Sequence, residues 1–158
     1  MSAGRTVVQA VAEEAVRSFS IRREDRIEAS IEIVFETILE QMSHLNVKPD
    51  GVPMPMKLEA WPGGRWFRDL GNDSGHFWGV VQSIKPPSLL EICGPLFMST
   101  PAVSNLQYRL TEENGLTRVR FMHRAMGWIG EADRGVDVGW TDLMSRIRTA
   151  AEKRGSKR

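Results

Sequence analysis

The sequence predicts an α+β domain in which an antiparallel sheet wraps around a long C-terminal helix. Three observations carry this prediction. An apolar helical stripe follows the first strand-like segment, a run of short strand-like segments bounded by turn residues comes next, and a long amphipathic segment closes the chain. Strands joined by tight turns pair antiparallel, because no crossover helix intervenes to bring them parallel.

The first strand is expected over 16–28, where Phe19, Ile21 and Arg23 alternate with Ser18, Ser20 and Arg22. Ser30 is a helix N-cap, with Glu32 in the first turn. Behind it Ile31, Val34, Phe35, Ile38, Leu39 and Met42 recur at helical spacing, giving about three turns that end near Asn46. Pro49, Asp50, Gly51, Pro53 and Pro55 then form an irregular connection.

Short strands follow at Met56–Trp61, Arg65–Leu70, His76–Ile84 and Leu89–Cys93, separated by Pro62-Gly63-Gly64, by Gly71–Gly75 and by Pro86-Pro87. Asn114-Gly115 is the strongest short hairpin signal. A two-residue turn there sets Leu110 opposite Val119, Tyr108 opposite Phe121 and Leu106 opposite His123, all on one face. The other face takes Gln107, Arg109, Arg118, Arg120, Met122 and Arg124. A four-residue loop would shift the partners but keep the faces, and Arg109 opposite Arg120 is mildly unfavourable, so the register stays open. The last helix is expected from about Glu131 to Lys153, with Ala132, Val136, Gly139, Trp140, Leu143, Met144, Ile147 and Ala151 on one face. Asp133 and Asp137 lie in its first half and Arg146, Arg148 and Lys153 in its second, which suits the helix dipole. Six to seven strands result. Residues 1–15 read as an N-terminal extension, 16–154 as the domain and 155–158 as a basic tail.

A chain of 158 residues with 41% hydrophobic and 26% charged side chains folds around a core without disulfide or metal. Its net charge of +1 gives no overall electrostatic footprint for nucleic acid. The basic cluster Lys153, Arg154, Lys157 and Arg158 reads as a solvated helix end. Cys93, the single cysteine, suits a reducing, cytoplasmic setting and falls in an apolar run that marks it as a small buried hydrophobe. No apolar run is long enough to cross a membrane as a helix.

His44, His76 and His123 have no metal-ligand spacing, and no phosphate-cradling glycine loop or nucleophile elbow occurs, so no cofactor and no metal are expected. His123 is expected inward beside Phe121, where it could serve a ligand as hydrogen-bond partner or acid/base, or be an ordinary core histidine bonded to backbone or to a neighbour such as Tyr108. Tyr108, the only tyrosine, needs a partner if buried. Trp66, Trp78, Trp128 and Trp140 could line an apolar pocket or simply pack, and so could the methionines.

The order of these elements, with the segments 28–35, Pro62-Gly63-Gly64-Arg65, 79–87 followed by Leu89-Leu90, 114–119 and Gly139-Trp140, resembles the SRPBCC superfamily of START-like, helix-grip folds. Within it the chain is most similar to the activator of heat-shock-protein-90 ATPase homologue branch, over residues 18–154. The resemblance implies a helix-grip fold, a curved sheet gripping the last helix with a cavity between them. It also implies binding of a hydrophobic, amphipathic or lipid-like small molecule there. Some relatives are cyclases or dehydratases, and the eukaryotic namesake stimulates a chaperone, which would place this chain in a stress response. No shared catalytic motif carries over, and fold does not fix function.

Three readings follow. The first is a ligand-binding domain using Trp66, Trp78, Leu106, Tyr108, Phe121, His123, Trp140, Leu143 and Met144, with the ligand's polar end near His123 or Tyr108. The second is a chaperone-associated protein-interaction module. The third is a cofactor-free cyclase- or dehydratase-type enzyme using His123, Tyr108 or an acid such as Asp69. A closed cavity favours the first, an exposed apolar patch over a filled core the second, and two titratable groups converging in the cavity the third. A monomer or homodimer without nucleic-acid partner is expected in each case.

Overall fold

In the computed structural model, which describes residues 4, 15–130 and 135–157, the chain runs β1 (Arg17–Ile27), α1 (Ile31–Gln41), β2 (Lys57–Leu58), β3 (Arg65–Gly71), β4 (Ser74–Lys85), β5 (Leu89–Gly94), β6 (Ala102–Glu113), β7 (Leu116–Gly127) and α2 (Val136–Gly155). The seven strands form one antiparallel sheet in the order β1-β7-β6-β5-β4-β3-β2. This is the helix-grip arrangement, a curved sheet with both helices on its concave face. Register shifts between Trp66 and Phe67, between Asp69 and Gly71, and between Val81 and Ser83 bend β3 and β4. At the β4–β5 crossing the backbones approach so closely that a Cβ on Gly94 would fall 2.4 Å from the Trp78 carbonyl oxygen.

The long hairpin has the two-residue turn. Asn114 and Gly115 take φ of 51° and 82°, and Glu113 pairs with Leu116. Leu106, Tyr108, Leu110, Val119, Phe121 and His123 therefore all face inward and are buried. They join Val34, Phe35 and Ile38 of α1 and Trp140, Leu143, Met144, Ile147 and Ala151 of α2 in one core.

The helices are tied to the sheet by polar contacts as well. Ser30 caps α1, its hydroxyl accepting from the Ile33 amide at 3.4 Å. Asp25 on β1, its side chain 6% exposed, accepts from the Arg23 guanidinium at 2.8 Å and from Arg148 of α2. Arg23 also donates to the Thr141 hydroxyl at 2.8 Å. Burial alone would raise the Asp25 carboxyl, but hydrogen bonds and charge from Arg23 and Arg148 outweigh it and hold it below the ordinary carboxylate value.

Four expectations are corrected. The strand anticipated over 56–61 shrinks to Lys57–Leu58, because the amides of Met54 and Met56 turn back to the Asn46 and Ser43 carbonyls instead of pairing along the sheet. Helix α1 stops at Gln41, and turns through Met42–Leu45 complete the run toward Asn46. Arg154 is no solvated tail residue: it reaches back to α1, donating to Glu36, Thr37 and Glu40 at 3.2 Å each. Cys93 is only partly buried, since its β5 position faces the convex side. Ala132 and Asp133, and the expected start of the last helix, lie outside the described residues. No described helix is long and apolar enough to cross a membrane.

Candidate functional site

Between the N-terminal end of α2 and the β3–β4 end of the sheet lies a cleft of about 270 Å³. Trp66 forms its floor. An inward position on β3 buries the ring, and its indole N–H donates to the Met42 carbonyl at 2.8 Å, so the chain end of α1 and the sheet hold it in one orientation. Trp78 on β4 meets it edge to face, with ring centroids 4.9 Å apart. Phe97, from the β5–β6 connection, leans over the cleft 5.8 Å from Trp78 and 6.4 Å from Trp140. Val136, Gly139, Trp140 and Leu143 of α2 make the facing wall, and Asn46–Pro49 with Met54 close the rim. Four aromatic rings thus converge from β3, β4, the β5–β6 connection and α2, at the 4.5–7 Å spacing that aromatic pairs prefer.

Of the residues expected at a ligand site, Trp66, Trp78, Trp140 and Leu143 line this cleft. Leu106, Tyr108, Phe121, His123 and Met144 lie behind it in the core, each at most 3% exposed. His123 is a buried core histidine bonded to neighbouring side chains, which are Trp140 and Ser104 and not Tyr108. Its Nδ1 accepts from the Trp140 indole N–H at 3.0 Å and its Nε2 lies 2.9 Å from the Ser104 hydroxyl. An acceptor Nδ1 leaves the proton on Nε2, so the ring is the neutral Nε2–H tautomer donating to Ser104. Burial pushes its pKa down to about 4, which keeps it neutral at physiological pH. The Tyr108 ring packs against Phe121 at 5.0 Å, and burial pushes its phenol up.

Among the described residues, two titratable groups do not converge on the cleft. Lys48 is the one ionisable side chain among its described lining residues, and Asp69 pairs with Lys57 at 2.9 Å on the exposed β3 surface. No group of His, Cys, Asp and Glu able to hold a metal occurs among the described residues. Phe97, Asn46 and Lys48 escaped the sequence reading. Phe97 had a usable signal: Leu96, Phe97 and Met98 form an apolar run between Gly94 and Pro101, and apolar side chains inside a connection need somewhere to pack.

The family model for activator of Hsp90 ATPase homolog 1-like protein matches residues 28–152. Among solved structures, an uncharacterized protein of Rhizobium leguminosarum aligns with a TM-score of 0.70 at 17% identity, over 90% of this chain and 99% of that one. CalU16 of Micromonospora echinospora aligns with a TM-score of 0.59 at 19% identity, over 92% and 94%. The di-domain ARO/CYC protein BexL from the BE-7585A biosynthetic pathway aligns at 0.59 and 16% identity, over 89% of this chain and 51% of BexL. No curated protein sequence matches. The sheet order, the gripped helix and the extent of the family match agree: the chain belongs to the activator of Hsp90 ATPase homolog 1-like family.

Proposed function

We propose that this protein binds a small, largely apolar, ring-bearing molecule in the cleft of Trp66, Trp78, Phe97, Trp140 and Leu143. The observation that carries this reading is the wall of α2. Gly139 stands in the second turn of the helix, and a Cβ built on it meets nothing within 4 Å. Glycine inside a helix costs about 1 kcal/mol relative to alanine, so packing does not explain it here. Its missing side chain keeps the space between the helix and the aromatic floor open. Such a cleft, apolar with Asn46 and Lys48 as polar groups at its rim, has the usual form of a small-ligand site. In this reading Leu106, Tyr108, Phe121, His123 and Met144 form the rigid backing, not the contact surface. That fold relatives include a protein named for a biosynthetic pathway is in keeping with a bound small molecule.

A neutral apolar fluorophore such as Nile red, titrated into wild type, Gly139→Ala and Gly139→Phe, tests this. Saturable binding is expected in wild type and in Gly139→Ala, with the latter more stable by about 0.5–1 kcal/mol. In Gly139→Phe affinity is expected to fall about tenfold or more, since the ring costs the ligand a buried apolar contact worth about 1.4 kcal/mol or more. Equal binding by a folded Gly139→Phe would place the probe elsewhere.

A protein-interaction role draws on a different observation. Trp61, Leu70 and Phe77, at 57%, 53% and 49% exposure, crowd the β3–β4 hairpin and the turn before it. A ligand-binding protein in which Gly139→Phe changes nothing would turn attention to that surface.

A further inference from the structure

The convex face of the sheet, opposite the cleft, carries a cluster of arginines. On the outward positions of β1, β6 and β7 stand Arg22, Arg26, Arg109, Arg118, Arg120 and Arg124, against Glu24 on the same strands, Glu113 at the hairpin end and Glu91 on β5. In a chain whose net charge is +1 this concentrates positive charge on one face. Arg118 is occupied by Glu24 and Glu113, and Arg120 approaches Glu24 only to 3.9 Å. Arg22 and Arg124 have no acidic partner among the described residues. Arg109 and Arg120 face each other directly across the β6–β7 ladder, an unfavourable like-charge pair that Glu24, opposite Arg120 on β1 but bonded to Arg118, offsets only in part.

These side chains also enclose a volume. A depression of about 560 Å³ is lined by Arg22, Arg23, Arg109, Arg120 and Arg124 with Gln107, Met122 and Phe121, and by one carboxylate, Glu24, whose partner is Arg118. Met122 is its centre: Arg120 and Arg124 lie two residues to either side on β7, Arg22 is its partner on β1, and Gln107 its partner on β6. Strands about 4.8 Å apart, with same-face residues about 6.7 Å apart along each, therefore set four guanidinium groups around one point. Gln107 is held by Glu91 and accepts from Arg109 Nε at 3.4 Å, so its amide helps to aim Arg109. The planar guanidinium fork suits bidentate pairing with oxyanions, which a lysine cannot offer.

We propose that this depression binds a small polyanion carrying two or more phosphate groups, each phosphate bridging two arginines. A phosphate monoester carries up to two negative charges near neutral pH, so one can offset the Arg109–Arg120 pair. The phosphates could belong to a soluble molecule or to lipid headgroups, and two arms separate these sources. In the first, sodium tripolyphosphate is titrated calorimetrically into wild type, into Arg120→Gln/Arg124→Gln and into Lys153→Gln/Lys157→Gln, which removes equal charge elsewhere. In the second, the same proteins are sedimented with phosphatidylglycerol-containing and with purely phosphatidylcholine vesicles.

Expected is one saturable tripolyphosphate site, weakened about tenfold or more in the arginine variant, unchanged in the lysine variant and reduced by added salt. The arginine variant should melt no lower than wild type without ligand, so lost binding will not reflect unfolding. Arginine-dependent sedimentation with the anionic vesicles alone, without tripolyphosphate binding, would assign the phosphates to a lipid headgroup. Absence of binding in both arms, or equal loss in the two variants, would overturn the proposal. So would a single-stranded oligonucleotide that displaces tripolyphosphate at far lower concentration. Because the cleft lies on the other face, none of these outcomes depends on Nile red binding.

Discussion

Replacing Trp140 by alanine is expected to cost about 4–8 kcal/mol, enough to remove much of the stability of a domain of ordinary size, about 5–15 kcal/mol. Truncating a buried tryptophan costs about 3–5 kcal/mol in lost burial and residual cavity. Trp140 is 7% exposed, packs against Phe121 at a 49° tilt with centroids 4.9 Å apart and is the hydrogen-bond donor to His123. Its removal also strands the His123 Nδ1 as a buried acceptor, which adds about 1–3 kcal/mol where water cannot reach it. Urea unfolding checks this, with Trp140→Phe as the intermediate case. Phenylalanine keeps most of the apolar contact but no N–H, so a loss of about 1–2 kcal/mol is expected. A Trp140→Ala protein with the wild-type midpoint would mean that neither the ring nor the indole bond stabilises the fold.

Acidification is expected to weaken the fold through His123 before it does so through the carboxylates. The side chains against the ring, Phe19, Phe97, Ser104 and Trp140, carry no charge, and burial depresses its pKa to about 4 from 6.5. The unfolded chain therefore takes up a proton on this residue between about pH 6.5 and 4 that the folded protein refuses. Stability must fall as pH drops through that window, by about 3 kcal/mol in full, and it recovers as pH rises. Asp25 acts in a lower window with its own sign. Its carboxyl is held below the ordinary value, so its contribution is complete above about pH 4 and fades as pH falls further. Urea unfolding at several pH values, compared with His123→Gln, measures the first effect: the variant's slope between pH 6.5 and 4 should be flatter. A His123 ring titrating near 6.5 by NMR would show that water reaches it.

The legible parts of this molecule were those governed by short-range periodicity. In 106–123 the alternation of apolar and polar residues about Asn114-Gly115 settles which face each side chain takes, and the structure adds the register that the pattern left open, with Glu113 opposite Leu116. Ser30 with the stripe behind it, and the stripe from Trp140 to Ala151, were readable for the same reason. The cleft was not. Its walls come from connections, Asn46–Pro49 and the loop carrying Phe97, whose course is set by contacts distant in sequence. The inward alternation that placed His123 and Tyr108 correctly on a face could not say that α2 would press against that part of the sheet and fill it. Nor could it say that the helix would stand off farther along, at Gly139.

The start of α2 has a consequence for access to the cleft. Gly135 occupies the N-cap in left-handed backbone, φ 91°, with no side chain to accept from the first-turn amides. At the far end, Ile147 and Ala151 are fully buried and Arg154 clasps α1. The helix is thus pinned from Trp140 to its C-terminus and loosely begun before it, over Val136–Gly139 at the mouth of the cleft. Opening should occur by fraying of the first turn and not by lifting the whole helix, since local openings follow the distribution of buried contact. Amides of Val136–Gly139 are expected to exchange with deuterium well before those of Ile147–Ala151. A guest molecule would then enter by unwinding one turn, leaving the gripped part of the fold undisturbed.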